Sequence, residues 1–201
     1  LLTGAGGAGG TINLIRKKPT ADFQGNIELG AGSWDNYRSQ VDVSGPLTET
    51  GNVRGRAVAA YQDKQSFLDH YSRKTGVYYG ILEVDLDEDT LLTLGADYLD
   101  SDPKGSSWTG SRTVFDAVGN RLDVPRSFNN GPKWSSWAQY SRTVFATLEH
   151  NFANGWVTKA QYNHQINGYD APLGYISQDS ATESSIWAQK YTGKTTSDSL
   201  D

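Results

Sequence analysis

Seven residues near the start of the chain, GAGGAGG at positions 4–10, have a spacing that could hold a phosphate group. Three of the glycines satisfy G-x-G-x-x-G, which in dinucleotide-binding proteins joins a strand to a helix whose N-terminus binds the pyrophosphate. The next ten residues, TINLIRKKPT, instead favour a strand, because they are rich in β-branched side chains and end near Pro19. We therefore interpret the glycines as a packed turn and expect no nucleotide site.

A second group with possible chemistry is the acidic run Asp85-Leu86-Asp87-Glu88-Asp89. Its carboxylate spacing matches the start of an EF-hand calcium loop. However, Thr90 stands where the loop requires glycine, and Ala96 stands where the bidentate glutamate belongs. The run therefore predicts an acidic turn rather than a calcium site.

The remaining candidates for catalysis or metal binding are few. His70, His150 and His164 are scattered, and the chain has no cysteine. Without cysteine, the chain can form neither a thiolate metal site nor a disulfide framework. No serine, histidine and aspartate fall at positions that suggest a catalytic set, so we expect a protein that is not an enzyme.

Composition restricts the partners and the fold. The formal net charge is −5, so the sequence shows no basic surface for nucleic acid. No apolar run approaches the roughly 20 residues of a membrane-spanning helix. Glycine (22 residues) and aromatic residues (11%) are abundant. Both are compatible with a transmembrane β-barrel, in which apolar side chains occupy every second position and escape a hydropathy window.

Alternation with a period of two runs through most of the chain and predicts an all-β fold. Between Tyr37 and Ser44, one predicted face carries Tyr37, Val41 and Val43, and the other carries Arg38 and Asp42. Comparable alternation occurs at 53–61, 78–86, 91–98, 144–149 and 156–163. These segments predict about seven or eight antiparallel strands of about ten residues, the length of a membrane-spanning strand.

The predicted connections alternate between short and long, which is typical of an outer-membrane barrel. Short ones lie at 48–52, 87–89 and 153–155, and long ones at 62–74, 101–137 and 166–185. The connection at 33–36 is an exception, being short on the otherwise long side. Polar residues predicted to face a wet interior are Arg38, Arg54, Arg56, Lys159 and Gln161, and aromatic residues predicted near the lipid interface are Tyr37, Tyr61, Tyr98, Phe152, Trp156 and Tyr162. A soluble β-sandwich is the alternative, although its loops need not sort by side.

The segment GGTINLIRKKPT at 9–20 resembles the end of the plug domain in TonB-dependent siderophore receptors. The stretches GAGSWDNYRS, RSFNNGPKWSSW and LEHNFANGWV are similar to the branch of that family that takes up ferric pyoverdine. The resemblance implies that residues 1–20 end the plug and that residues 21–201 form the first part of a large antiparallel transmembrane β-barrel of roughly 22 strands. The abrupt start and end then predict a segment of a longer chain.

The resemblance also implies a function in the bacterial outer membrane. The receptor would bind a ferric siderophore, with ferric pyoverdine as the first choice, and import it with energy from TonB through the N-terminal part of the parent protein. Iron arrives already chelated by the siderophore, so no cofactor is expected, and the other neighbour is outer-membrane lipid. Two alternatives remain: a passive or structural porin-like barrel, and a receptor of the same class for a hydroxamate siderophore.

Aromatic residues in the long connections are the candidates for siderophore binding. Trp108 and Trp137 lie inside or at the end of the longest one, and by resemblance they match aromatic residues of the siderophore pocket. Ser180 stands where the family carries another tryptophan, so Tyr175 or Trp187 is expected to substitute. The alternative for each tryptophan is that it packs its own loop. The basic run 16–18 is expected to pair with carboxylates of the barrel interior.

Overall fold

A computed structural model describes residues 15–108, 114–116, 118–178 and 184–201. They form one antiparallel sheet in which each strand pairs with the next along the chain. The strands are β1 (Gln24–Gly32), β2 (Asn36–Pro46), β3 (Val53–Gln65), β4 (Ser72–Asp85), β5 (Thr90–Lys104), β6 (Ala138–Asn151), β7 (Val157–Gln178) and β8 (Ser184–Leu200). No helix in these ranges has the length and apolar character needed to cross a membrane. The glycines at 4–10 lie outside the described residues.

The two faces of the sheet differ in chemistry, as the alternation predicts. Strand register places Val41 beside Ala59 and Asp42 beside Val58, so alternate residues of each strand share a face with their partners on the next strand. Large apolar side chains that remain exposed on one face, which we call the outer face, include Ile27, Leu29, Val41, Val43, Tyr61, Tyr78, Leu82, Leu94, Val144 and Leu148. The opposite, inner face carries most of the charged and amide side chains. Apolar residues turned outward and polar residues turned inward are the arrangement of a barrel wall surrounded by lipid.

The connections sort by end of the sheet. Residues 47–52, 86–89 and 152–156 form the three hairpin bases at one end. At the other end lie 33–35, 66–71 and the long connection 105–137. The predicted long connections at 62–74 and 166–185 were wrong in extent, because β3 extends to Gln65, β4 begins at Ser72 and β7 extends to Gln178. β7 has 22 residues rather than about ten, since its outer part contains Gly168, Pro172 and Gly174, which in a sequence indicate a loop rather than a strand.

The acidic run forms the turn of the β4–β5 hairpin. The backbone N–H of Asp89 and the hydroxyl of Thr90 both donate to the Asp87 carboxylate at 2.9 Å. The hydrogen bond from Thr90, followed by that from Asp89, lowers the pKa of Asp87. Asp85 is engaged elsewhere, because the Arg54 guanidinium donates to both of its oxygens, at 2.6 and 2.9 Å. The prediction of a turn is confirmed, and the described residues contain no cluster of three or more potential metal ligands.

Aromatic side chains form a belt on the outer face. On each of the strands β3, β4 and β5, a tyrosine lies seven residues from the last residue that is paired at the hairpin base. These tyrosines are Tyr61, Tyr78 and Tyr98. The rings of Tyr78 and Tyr98 stack with centroids 6.3 Å apart, and the Arg142 guanidinium lies 5.4 Å from the Tyr98 ring. Of the predicted aromatic residues, Tyr37, Tyr61, Tyr98 and Tyr162 lie on this face, and Phe152 and Trp156 bound the third hairpin base.

Residues 15–20 cross the inner face and are held there by charge. The Lys17 ammonium lies 2.7 Å from the Asp42 carboxylate, which is buried. Arg56 donates two hydrogen bonds of 2.8 Å to the same carboxylate and a third of 3.0 Å to the carbonyl of Lys18. The Tyr79 hydroxyl donates to the carbonyl of Lys17 at 2.8 Å. The prediction that the basic run pairs with interior carboxylates is therefore confirmed for two of its three residues, Lys17 and Lys18.

The same segment also contacts the neighbouring strands. The Arg16 guanidinium lies 4.0 Å above the centre of the Phe145 ring on β6, a cation–π contact. Lys18 lies 3.8 Å from Glu83 on β4. These contacts tie the segment to β2, β3, β4 and β6 at once. The proposed boundary between a plug end at 1–20 and the barrel part at 21–201 stays a prediction, since residues 1–14 lie outside the described part.

Candidate ligand-binding site

Four aromatic residues meet on the inner face at the end of the sheet opposite the hairpin bases. Trp108 stacks on Tyr191 with ring centres 4.6 Å apart, and its ring lies 5.4 Å from that of Trp187. Tyr175 of β7 pairs with Trp187 of β8 in the strand register, and their rings stack at 5.8 Å. We call these four residues the aromatic cluster. They form a surface of adjoining ring faces suited to a flat conjugated ligand.

Backbone contacts explain how Trp108 reaches β7. Ser107 forms an isolated parallel bridge with Gly174, and the N–H of Trp108 donates to the carbonyl of Gly174 at 3.3 Å. A Cβ at Gly174 would lie 2.6 Å from the carbonyl oxygen of Trp187 and 3.1 Å from the ring of Trp134. Position 174 therefore needs glycine, because a side chain there would collide with the neighbouring backbone.

A cavity of about 480 Å³ lies beside the aromatic cluster, on the other side of Ser107. Trp137 lines it together with Tyr71 and Phe128, and Arg73 and Arg126 add positive charge. Trp137 is 39% exposed, so part of its ring is open to a ligand. Of the predicted residues, Trp108 and Tyr175 are therefore brought together, whereas Trp137 belongs to the adjoining cavity.

Residues 127–135 of the long connection are fixed over the cavity by hydrogen bonds. The buried Asn129 amide donates to the carbonyls of Asp69 and Gly105, at 3.1 and 2.8 Å. The backbone N–H of Asp69 donates to the carbonyl of Ser127 at 2.7 Å. The buried Ser135 hydroxyl donates to the carbonyl of Pro132 at 2.6 Å. Because these polar groups are satisfied internally, the cavity walls are formed before a ligand arrives.

Two contributions to the site were missed by the sequence reasoning. Tyr191 was not selected, although it follows Trp187 and Gln189 at intervals of two residues on β8 and so shares their face. Arg73 was not selected either, because it lay inside a predicted loop rather than on the inner face of β4. Ser180, which stands where the family carries another tryptophan, lies outside the described residues. Trp187 was named only as a possible substitute, and the structure places it at the centre of the aromatic cluster.

Comparisons with known proteins give the context of this geometry. No model of a known protein family matches the sequence. The chain is 73% identical to the ferripyoverdine receptor of Pseudomonas aeruginosa over an alignment of 204 positions, which covers all of this chain and 25% of that protein. The crystal structure of the Pseudomonas aeruginosa outer-membrane receptor bound to ferripyoverdine superposes with a TM-score of 0.91 at 72% identity, covering 94% of this chain and 26% of that one.

The chain belongs to the TonB-dependent siderophore receptors. It is also 40% identical to the ferric-pyoverdine BN7/BN8 receptor of Pseudomonas putida, over all of this chain and 25% of that protein. The chain thus spans about a quarter of the length of these curated relatives. Membership confirms the predicted fold, an antiparallel sheet that is part of an outer-membrane β-barrel, and the predicted location in the bacterial outer membrane. The relatives are receptors and not enzymes.

Proposed function

We propose that the chain is part of an outer-membrane receptor that binds ferric pyoverdine and imports it with energy from TonB. The observation that carries the proposal is the 73% identity, over the whole chain, to a receptor of that substrate. The aromatic cluster supports it, because a siderophore with a flat aromatic chromophore needs exposed ring faces more than it needs charged groups. The cluster also lies at the end of the sheet away from the short hairpins, where external loops belong in such barrels.

The binding residues in this proposal are Trp108, Trp137 and Tyr175, with Trp187 and Tyr191 completing the surface. Trp108 and Tyr175 offer ring faces to the chromophore from the aromatic cluster. Trp137 contacts the part of the ligand that enters the adjoining cavity. The receptor needs no iron ligands, since the siderophore fills the coordination sphere of the metal. The role of this site is to bind and orient the whole chelate by shape and stacking.

Transport in this proposal depends on the segment at 15–20. It is the end of the plug, and its ion pairs with Asp42 and Glu83 hold it against the wall. The contact with TonB lies in the remainder of the receptor. A passive pore would gain nothing from a segment fixed across its inner face, so these contacts favour a plugged receptor over the porin-like alternative.

A hydroxamate siderophore is the second candidate substrate. The observation in its favour is a relative 27% identical over 82% of this chain, the ferrioxamine B receptor of Salmonella typhimurium. Its identity is far below that of the pyoverdine receptors. Ferric pyoverdine therefore remains the first choice, and the two chelates are compared directly in the test.

The test is a titration of the full-length receptor in detergent, followed by tryptophan fluorescence. Ferric pyoverdine should quench the emission at low concentration, and Trp108→Ala and Trp137→Ala should each weaken binding about tenfold, because each removes a stacking surface. Trp156→Ala is the matched control, since Trp156 is 73% exposed at the opposite end of the sheet. Quenching by ferrioxamine B alone would change the substrate within the class. Quenching by neither chelate would contradict the proposed function.

A further inference from the structure

The cavity beside the aromatic cluster has an unusual charge composition. Among the described residues, its lining includes two arginines, Arg73 and Arg126, and neither aspartate nor glutamate. The Arg126 guanidinium lies 4.9 Å from the centre of the Phe67 ring, which positions it in the wall. A partly enclosed space whose described walls carry two cations and no carboxylate is electrostatically complementary to an anion.

Arg73 is the residue whose surroundings are incomplete. It lies half-buried on the inner face of β4, and its Nε is buried without a hydrogen-bond partner. Within the described ranges it makes no ion pair, whereas Arg54 and Arg56 on the neighbouring strand each hold a carboxylate, at 2.6 and 2.8 Å. Burying part of a guanidinium without a counter-charge is unfavourable, so the geometry calls for an acceptor from beyond the described residues.

Ser107 provides a second, independent donor without a partner. Its Oγ is buried, makes no hydrogen bond, and lines the same cavity as Arg73. Ser107 immediately precedes Trp108, so the cavity and the aromatic cluster adjoin through consecutive residues. A ligand whose flat part lies on the aromatic cluster can therefore place a side arm into the cavity.

We propose that this cavity is a subsite for a carboxylate-bearing arm of the siderophore. Arg73 donates the charged, two-pronged contact, Ser107 donates a further hydrogen bond, and Trp137 forms a wall. The inference rests on the proposed function and extends it, since it assigns a specificity role to a residue outside the aromatic cluster. Guanidinium and carboxylate groups match in geometry and charge, so such a contact discriminates strongly between an acid and its neutral amide.

The test measures binding to the full-length receptor with two matched chelates. One is a ferric pyoverdine with a free carboxylate outside its iron-binding groups, and the other is the same chelate with that carboxylate converted to a primary amide. Wild type should bind the acid about tenfold or more tightly than the amide. Arg73→Gln should reduce this preference to about twofold, and Arg73→Lys should retain part of it. Arg142→Gln, which removes an exposed arginine from the outer face, should keep the full preference.

The outcomes separate the subsite from the function as a whole. If Arg73→Gln weakens both chelates equally, or leaves the preference intact, the subsite is wrong while the receptor still binds ferric pyoverdine. If wild type binds neither chelate, the proposed function fails and the subsite fails with it. Heat-induced unfolding of each variant shows whether the barrel is intact, and a loss of preference in a correctly folded Arg73→Gln receptor supports the subsite.

Discussion

Replacing Asp42 with alanine in the full-length receptor should lower its stability by about 3–5 kcal/mol. The carboxylate is buried and accepts hydrogen bonds from Arg56 and Lys17, so its removal leaves the largely buried Arg56 without a counter-charge. The contact with Lys17 contributes less, because that side chain is half exposed and solvent screens it. Denaturant unfolding in detergent gives the stability. Amide hydrogen exchange of residues 15–20 should become faster, because the segment loses its main anchor.

Glu28→Ala is the matched control for this substitution. Glu28 lies on the same inner face, on β1, but it is exposed and makes no ion pair with a described residue. Its removal should leave both the unfolding midpoint and the exchange of residues 15–20 close to wild type. If Asp42→Ala behaved like Glu28→Ala, the ion pairs would contribute little, and the segment would be held by other contacts.

A second large effect is expected at Gly95, on the inner face of β5. The Phe145 ring covers this position so closely that a Cβ would overlap it, and the ring in turn supports the Arg16 guanidinium at 4.0 Å. Gly95→Val should therefore displace the ring and cost about 1–3 kcal/mol through overpacking. The same unfolding measurement checks the loss, and faster exchange around Arg16 would show that the displacement reaches the segment.

Gly80→Val tests whether the effect is steric or a general property of glycine in the sheet. Gly80 lies on the adjacent strand β4, beside Ala96, but faces outward, and a Cβ there would meet nothing within 4 Å. Valine should be tolerated at this position, since it favours strands and suits a lipid-facing surface. Equal destabilisation by the two substitutions would contradict the role assigned to Phe145.

The faces of the strands could be predicted from sequence because one physical rule decides them. Lipid accepts only apolar side chains, so Val41 and Val43 alternate with Gln40 and Asp42 in a pattern visible without a structure. That rule ends where the strands leave the apolar band. The outer half of β7 contains Gly168, Pro172 and Gly174, which in a sequence indicate a loop, yet it pairs with β8 up to Gln178. Strand ends, and hence loop lengths, were therefore predicted wrongly at 62–74 and 166–185.

The candidate site could be predicted only in part. Trp108 and Tyr175 stand out as aromatic residues of long connections, and the structure brings both into one cluster. Their joint position depends on the approach of Ser107 to Gly174, a contact between positions 67 residues apart that no local pattern encodes. The separation of Trp137 into the adjoining cavity depends on the folding of the connection 105–137 in the same way. Arg73 can be recognised only in three dimensions, where its Nε is buried without a hydrogen-bond partner.

The hairpin bases also carry geometric information about the barrel. Arg54 of the first base pairs across to Glu83, and the second base closes two residues further along the strand, at Asp85. In the same way the third base closes at Asn151, two residues beyond Glu149. From one base to the next, the sheet advances by two strands, which is about 9.6 Å across the strands. Over that distance the base moves by two residues, which is about 6.6 Å along the strand. If the bases lie at one level, the strands are inclined by about 35° to the barrel axis.

At that inclination, the residues Val53–Tyr61 of β3 rise about 22 Å, close to the height of about 25 Å that the apolar band has in outer-membrane barrels. Tyr175 lies 18 residues beyond Val157 at the base of β7. The same incline carries it to about twice that height. The aromatic cluster thus stands clear of the bilayer on a stiff paired hairpin, and a ligand coming from outside meets these rings before it reaches the level of the lipid.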